Sequence, residues 1–147
     1  MEYMLRLAKQ FDKQQKHISC TALPPTKESI EKIEDCFGFK LPKSLITFAQ
    51  NSERYGNWLA SIGEDYDSPT HIININKEES EELPKNFVIF NVGYDEDYDC
   101  FDLDTYDDET DEYLITYWYP GIDLKEASLH DSFFNNMAAQ IRGWEIT

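Results

Sequence analysis

Eleven of the eighteen residues from Asp95 to Glu112 are Asp or Glu, the densest concentration of reactive side chains in the chain. Tyr94, Tyr98, Tyr106 and Tyr113 lie among and beside them. Carboxylates at this density could hold a cation, work as a catalytic pair, or meet positive charge on another molecule. A calcium loop of the EF-hand kind needs acids at positions 1, 3 and 5, Gly at 6 and Glu at 12. Counted from Asp95, Cys100 falls at the glycine position and Tyr106 at the last. Counted from Asp102, Tyr106 replaces an acid and Tyr113 the final Glu. Neither register works, so no metal or other cofactor is expected. A glycosidase-like carboxylate pair is defined by separation in space, which the sequence does not give. His17, His71 and His130 lack metal-ligand spacing. No GxSxG, P-loop or GxGxxG occurs. No catalytic residue is assigned, and the chain is expected not to be an enzyme.

Recognition of a partner is the remaining chemistry. The formal net charge is −16. Residues 1–50 carry eight Lys/Arg against six Asp/Glu, while 51–147 carry five against 23, so the second part is at −18. Such a field repels nucleic acid and anionic membranes and attracts basic proteins or cations. Tyrosine adds contact area and a hydroxyl at low entropic cost. The candidate partner-binding residues are therefore Tyr94, Asp95, Glu96, Asp97, Tyr98, Asp99, Asp102, Asp104, Tyr106, Asp107, Asp108, Glu109, Asp111 and Glu112, with Trp58 as a further aromatic. A solvated rim that keeps the protein soluble is the competing reading of the same residues.

The elements that must carry this segment can be read from periodicity. Met4, Leu7, Ala8 and Phe11 form the apolar stripe of a helix over 2–16. Ala22-Leu23-Pro24-Pro25 ends that region. Thr26 is placed to cap a second helix with Ile30, Ile33 and Phe37 on its buried face, and Gly38 follows as its C′ residue. Pro42 is expected at the first position of a third helix carrying Leu45, Phe48 and Ala49. Residues 51–70 read as irregular, 71–75 as a short strand, and 77–82 as a turn of helix or a loop. Phe87–Phe90, Tyr98–Leu103 and Tyr113–Trp118 read as strands joined by acidic turns. A closing helix is expected over 129–142, capped by Ser128, with Phe133, Phe134, Met137 and Ile141 inward.

Helices, then strands, then a helix make an α+β domain: a mostly antiparallel sheet packed against N-terminal and C-terminal helices. One domain of 147 residues is expected, without disulfides. Cys20, Cys36 and Cys100 are odd in number and lack CxxC spacing. Met1–Arg6 carries no basic run followed by an apolar stretch, so a cytoplasmic location is expected.

Three stretches taken together resemble a known family. The first is Ile30-x-x-Ile33-Glu34-x-x-Phe37-Gly38-x-x-Leu41-Pro42-x-x-Leu45-x-x-Phe48. The second runs from Leu83-Pro84-x-x-Phe87-Val88-Ile89-Phe90 to Tyr98-Asp99-Cys100-Phe101-Asp102-Leu103. The third is Ile115-Thr116-Tyr117-Trp118 followed by Ser132-Phe133. Over residues 26–142 the chain resembles the SUKH superfamily, the Smi/Knr-type domain, with residues 1–20 as an extension. It departs from the pattern where Asn51–Gly56 replaces an Asn-Gly-Gly turn. The resemblance implies a helix-packed antiparallel sheet. It also implies a non-enzymatic role. Bacterial members commonly neutralise a cognate toxin, often one with a basic nuclease domain, and fungal relatives act as interaction modules in regulation. Glu34, Leu41, Pro42, Asp102 and Trp118 match the family's recurring positions. A small-ligand or cation-binding domain is a third reading.

Overall fold

The computed structural model describes residues 2–92, 97–125, 129–133, 135 and 139. Its helices are α1 (Glu2–Gln14), α2 (Lys27–Phe37), α3 (Lys43–Asn51) and α4 (Ile72–Glu78). Its strands are β1 (Phe87–Val92), β2 (Tyr98–Asp102), β3 (Leu114–Trp118) and β4 (Leu129–Ser132). The strands form one antiparallel sheet in the order β1-β2-β3-β4. The α+β class read from the sequence is thus the observed one.

Local signals explain α2 and its boundaries. The Thr26 hydroxyl accepts from Ser29 N at 3.1 Å, and Ser29 Oγ accepts from Thr26 N at 2.8 Å, a reciprocal capping box. Gly38 ends the helix at φ 69°, a left-handed conformation that costs glycine little. Glu34 Oε2 then accepts from Leu41 N at 2.8 Å and fixes the corner into α3. Pro42 precedes α3 as its N-cap, at ψ 139°, rather than opening it as first helical residue. Leu41 and Pro42 are both buried at that corner.

A column of aromatic rings joins the helices to the sheet. Phe11 on α1 meets Phe48 on α3 edge-on at 5.4 Å, and Phe48 meets Phe133 at 6.4 Å. Phe133 contacts Phe90 on β1, which stacks on Phe101 of β2 at 4.2 Å. Burial of each ring contributes about 1.5–3 kcal/mol, and each edge or stacked contact adds about 1 kcal/mol.

The turn after α3, where the chain departs from the family pattern, is tied to α1 by reciprocal bonds. Asp12 accepts from Ser52 Oγ at 2.6 Å, Glu53 N at 2.8 Å and Arg54 N at 3.1 Å. Arg54 donates in return to the carbonyls of Ile18 at 3.1 Å and Lys16 at 3.2 Å, just beyond the end of α1. Gly56 lies so close to the 20–22 segment that a Cβ would meet that of Ala22 at 2.4 Å.

Two expected elements differ. Residues 72–78 are helical rather than extended. His71, fully buried, caps them: its Nδ1 accepts from Ile73 N at 3.2 Å, and its Nε2–H donates to Gly63 O at 2.9 Å. That pattern sets a neutral imidazole with the proton on Nε2. Leu129–Ser132 is a strand paired with β3, not the start of the closing helix, because its backbone completes the ladder along Leu114–Thr116. Phe133, Asn135 and Ala139 are helical, whereas Ser128, Phe134, Met137 and Ile141 lie outside the described residues.

Asn76 on α4 fastens β1. Its Oδ1 accepts from Ile89 N at 2.8 Å, and its Nδ2 donates to Ile89 O at 2.9 Å. Both groups are buried, so Asn76→Ala leaves a donor and an acceptor unsatisfied. We expect a loss of about 2–4 kcal/mol in urea unfolding, with the slope of the transition unchanged.

Candidate functional site

The acidic segment does not fold as one hairpin. β2 divides it, placing acids at both ends of a strand roughly 15 Å long. Its middle, Cys100 and Phe101, is fully buried. Burial pushes the Cys100 thiol well up, which makes it inert.

At the N-terminal end of β2, Asp97 accepts from the Tyr117 hydroxyl at 2.8 Å and Asp99 from Asn91 Nδ2 at 2.9 Å. Tyr98 is buried, stacks on Trp118 at 5.8 Å and donates to Glu79 at 2.8 Å. These residues knit the sheet together. Tyr94, Asp95 and Glu96 lie outside the described residues.

At the other end, the β2–β3 connection is built in layers. Asp102 Oδ1 closes β2 by accepting from Asp104 N at 3.1 Å and from Asn86 Nδ2 at 3.0 Å. The Thr105 hydroxyl donates to Asp102 O at 2.7 Å and accepts from Leu114 N at 2.8 Å, pinching the base. Asp107 and Glu112 then pair through their backbones in an antiparallel bridge. The tip, 108–110, turns back with Asp107 Oδ1 accepting from Glu109 N at 3.0 Å.

Two acids of this connection anchor it to α3. Asp111, at φ 56°, accepts from Lys43 N at 3.0 Å and from the Tyr106 hydroxyl at 2.6 Å. Lys43 opens α3, and Pro42 gives that end no side-chain cap. Asp111 thus supplies, from 68 residues away, both an acceptor and the negative charge that a helix N-terminus favours. Lys40 Nζ lies 3.8 Å from Asp111, and because the lysine is exposed the pair contributes little. Buried Glu112 accepts from Ser44 Oγ at 2.6 Å. Tyr113 donates to Lys40 O at 2.7 Å, and burial raises its phenol above the usual value.

With the root fixed, Asp104, Asp107, Asp108 and Glu109 remain exposed, with the Tyr106 ring 37% exposed beside them. A cleft of about 450 Å³ opens along the turn, lined among others by Asp107, Thr110, Glu112, Tyr113 and Ser132. Among the described residues, no cluster of three or more His, Cys, Asp or Glu has metal-binding geometry. No helix there is long and apolar enough to cross a membrane.

The motif positions from the sequence prove to be framework. Glu34 and Leu41 share one hydrogen bond, Pro42 takes the N-cap position of α3, Asp102 closes β2, and Trp118 is buried. Residues 24–137 match the SMI1/KNR4 family (SUKH-1). The chain belongs to this SUKH-1 family. No curated protein matches it.

Within this SUKH-1 domain, the twelve described residues of the fifteen contact candidates separate by role. Asp104, Tyr106, Asp107, Asp108 and Glu109 form one exposed group. Asp102, Asp111 and Glu112 hold that group in place. Asp97, Tyr98 and Asp99 serve the opposite end of the sheet. Trp58 stands apart from both, half-buried against Phe11, Phe48 and Phe133, and is stacked on the last at 6.0 Å. The sequence reading missed Ser44, Lys43 and Tyr113 as the turn's attachment points. Its one usable signal was Pro42, which leaves the helix N-terminus in need of an outside acceptor.

The Tyr106 phenol is pushed up to about 12 from 10, first by its hydrogen bond to the Asp111 carboxylate, then by desolvation and nearby negative charge. The folded value is the higher one, so the contribution of this bond is complete below pH 10 and is lost as pH rises through about 12. Tyr55, Tyr66 and Tyr113 are also raised, so tyrosinate absorbance should show a late-titrating amplitude that drops by one group in Tyr106→Phe and in Asp111→Asn has one group shifted back toward 10. A titration identical in all three proteins would contradict the geometry.

Proposed function

We propose that this chain is a non-catalytic immunity protein that binds a toxin domain and neutralises it through carboxylates set against a basic surface. Membership of the SUKH-1 family supports an immunity-type role. The observation that carries the reading is the β2–β3 connection. Asp104, Asp107, Asp108 and Glu109 project from a turn whose root is fixed by Asp111 and Glu112 on α3.

Rigidity matters because an anchored turn loses little conformational freedom on docking. The net charge of −16 steers encounter with a cationic partner. Nuclease domains hold phosphates with Lys and Arg, and carboxylates at the same spacing can occupy that surface in place of the nucleic acid. Tyr106 supplies an amphipathic ring at the centre of the group, and the neighbouring cleft offers room for one partner side chain. Asp97 and Asp99 extend the acidic field at the far end of the sheet and act on approach more than on contact.

Co-expression with a candidate toxin domain from the adjacent gene tests the reading. The wild-type chain should rescue growth and bind the toxin domain. Asp104→Lys, Asp107→Lys, Asp108→Lys and Glu109→Lys combined should slow association about tenfold or more at low salt. These positions are exposed and the one hydrogen bond lost with them is that of Asp107 to Glu109 N at the tip, so stability should fall by about 1 kcal/mol at most. Added salt should slow wild-type association in the same direction. Unchanged rescue by the combined variant, or affinity indifferent to salt, would remove this turn as the docking face.

A further inference from the structure

The run Lys77–Lys85 holds two lysines and four glutamates, and the fold sorts them. Lys77 and Lys85 both line a groove of about 330 Å³ bounded by α2, α4 and the chain entering β1. Glu78, Glu79, Glu81 and Glu82 do not line it. Glu79 is turned instead to the Tyr98 hydroxyl. Phe37, Ile73, Leu83 and Phe87 give the groove an apolar wall. We propose that this groove binds a small amphipathic anion, an apolar chain or ring ending in a carboxylate.

The size lies in the range of small-molecule sites, and the lining has their composition, apolar with a few polar groups. The sign of the ligand follows from charge. Residues 51–147 contain five Lys or Arg, and two of the five meet at this groove. Among the described residues neither Lys77 nor Lys85 forms an ion pair, and both are exposed at the rim. Each offers a compact ammonium with rotatable donors, suited to a carboxylate of adjustable position. The apolar body of the ligand would displace water from Phe37 and Phe87 at about 25 cal/mol per Å². The floor is preformed, because the Asn76 side chain is held by Ile72 O at 2.8 Å as well as by Ile89. This site is independent of the acidic turn and of the immunity reading.

Cys36 also lines the groove and is exposed, whereas Cys20 is half-buried and Cys100 buried, so its alkylation reports occupancy. The rate of Cys36 modification by iodoacetamide at about pH 8 can be followed by peptide mass spectrometry. Decanoate, kept below its aggregation concentration, should slow it saturably by about fivefold or more, while decanol binds about tenfold more weakly. Decyltrimethylammonium should leave the rate unchanged. Lys77→Gln with Lys85→Gln, and separately Lys77→Glu with Lys85→Glu, should remove the protection. Both positions are exposed, so the fold should be retained. No slowing by decanoate, an equal effect of decanol, or protection that survives both double variants would overturn the proposal.

Discussion

A turn that gathers seven carboxylates between residues 102 and 112 must be held against its own repulsion. Three of them take donors that stay in place: Asp102 those of Asn86 and Asp104, Asp111 those of Lys43 and Tyr106, and Glu112 that of Ser44. Hydrogen bonds to a charged acceptor contribute about 1.5–3 kcal/mol each. Repulsion among the exposed four is screened over a Debye length of about 8 Å at physiological salt. The balance therefore favours an ordered turn, and the α3 N-terminus is where it is struck. Helix α3 in turn is fixed by the Glu34–Leu41 corner on one side and by Phe48 in the aromatic column on the other. The position of the charged surface is thus inherited from the core.

Much of this framework was readable from residue types. The stripes of α1 and α2, the Thr26 cap, the Gly38 stop and the three strands through Trp118 all follow from local preference and agree with the structure. The differences arise where long-range contacts decide. His71–Ile75 has the alternation of a strand, but His71 supplies a helix cap and Asn76 needs a helix to reach Ile89. Leu129–Ser132 has little strand preference of its own, and pairing with β3 imposes the extended form. At the candidate site, the sequence located the acids and could not divide them into anchors and free groups. That division depends on which carboxylates come within reach of α3, a fact of tertiary register.

The molecule carries its charge in zones. Arg6, Lys9 and Lys13 project from α1, the basic part of the chain, and the acids gather at the two ends of β2. Residues between these zones are occupied by packing, as with Trp58 in the aromatic cluster and His71 beneath the 61–65 loop. Polar side chains set against the core take hydrogen bonds there: Asp12 and Asn76 close backbone groups, and Glu112 accepts from the Ser44 hydroxyl.

The Asn76 clamp has a bearing on how this protein can meet others. β1 is a terminal strand of the sheet, and an unpaired terminal strand invites a foreign segment to add to it through main-chain bonds. Here the outward Ile89 groups are taken by Asn76 and the Phe90 carbonyl accepts from Ala60 N at 2.9 Å. Augmentation along that side is blocked at its centre, which protects against amyloid-like pairing. Selectivity for a companion molecule at this border must then come from side-chain chemistry, which point mutations can retune without disturbing the ladder.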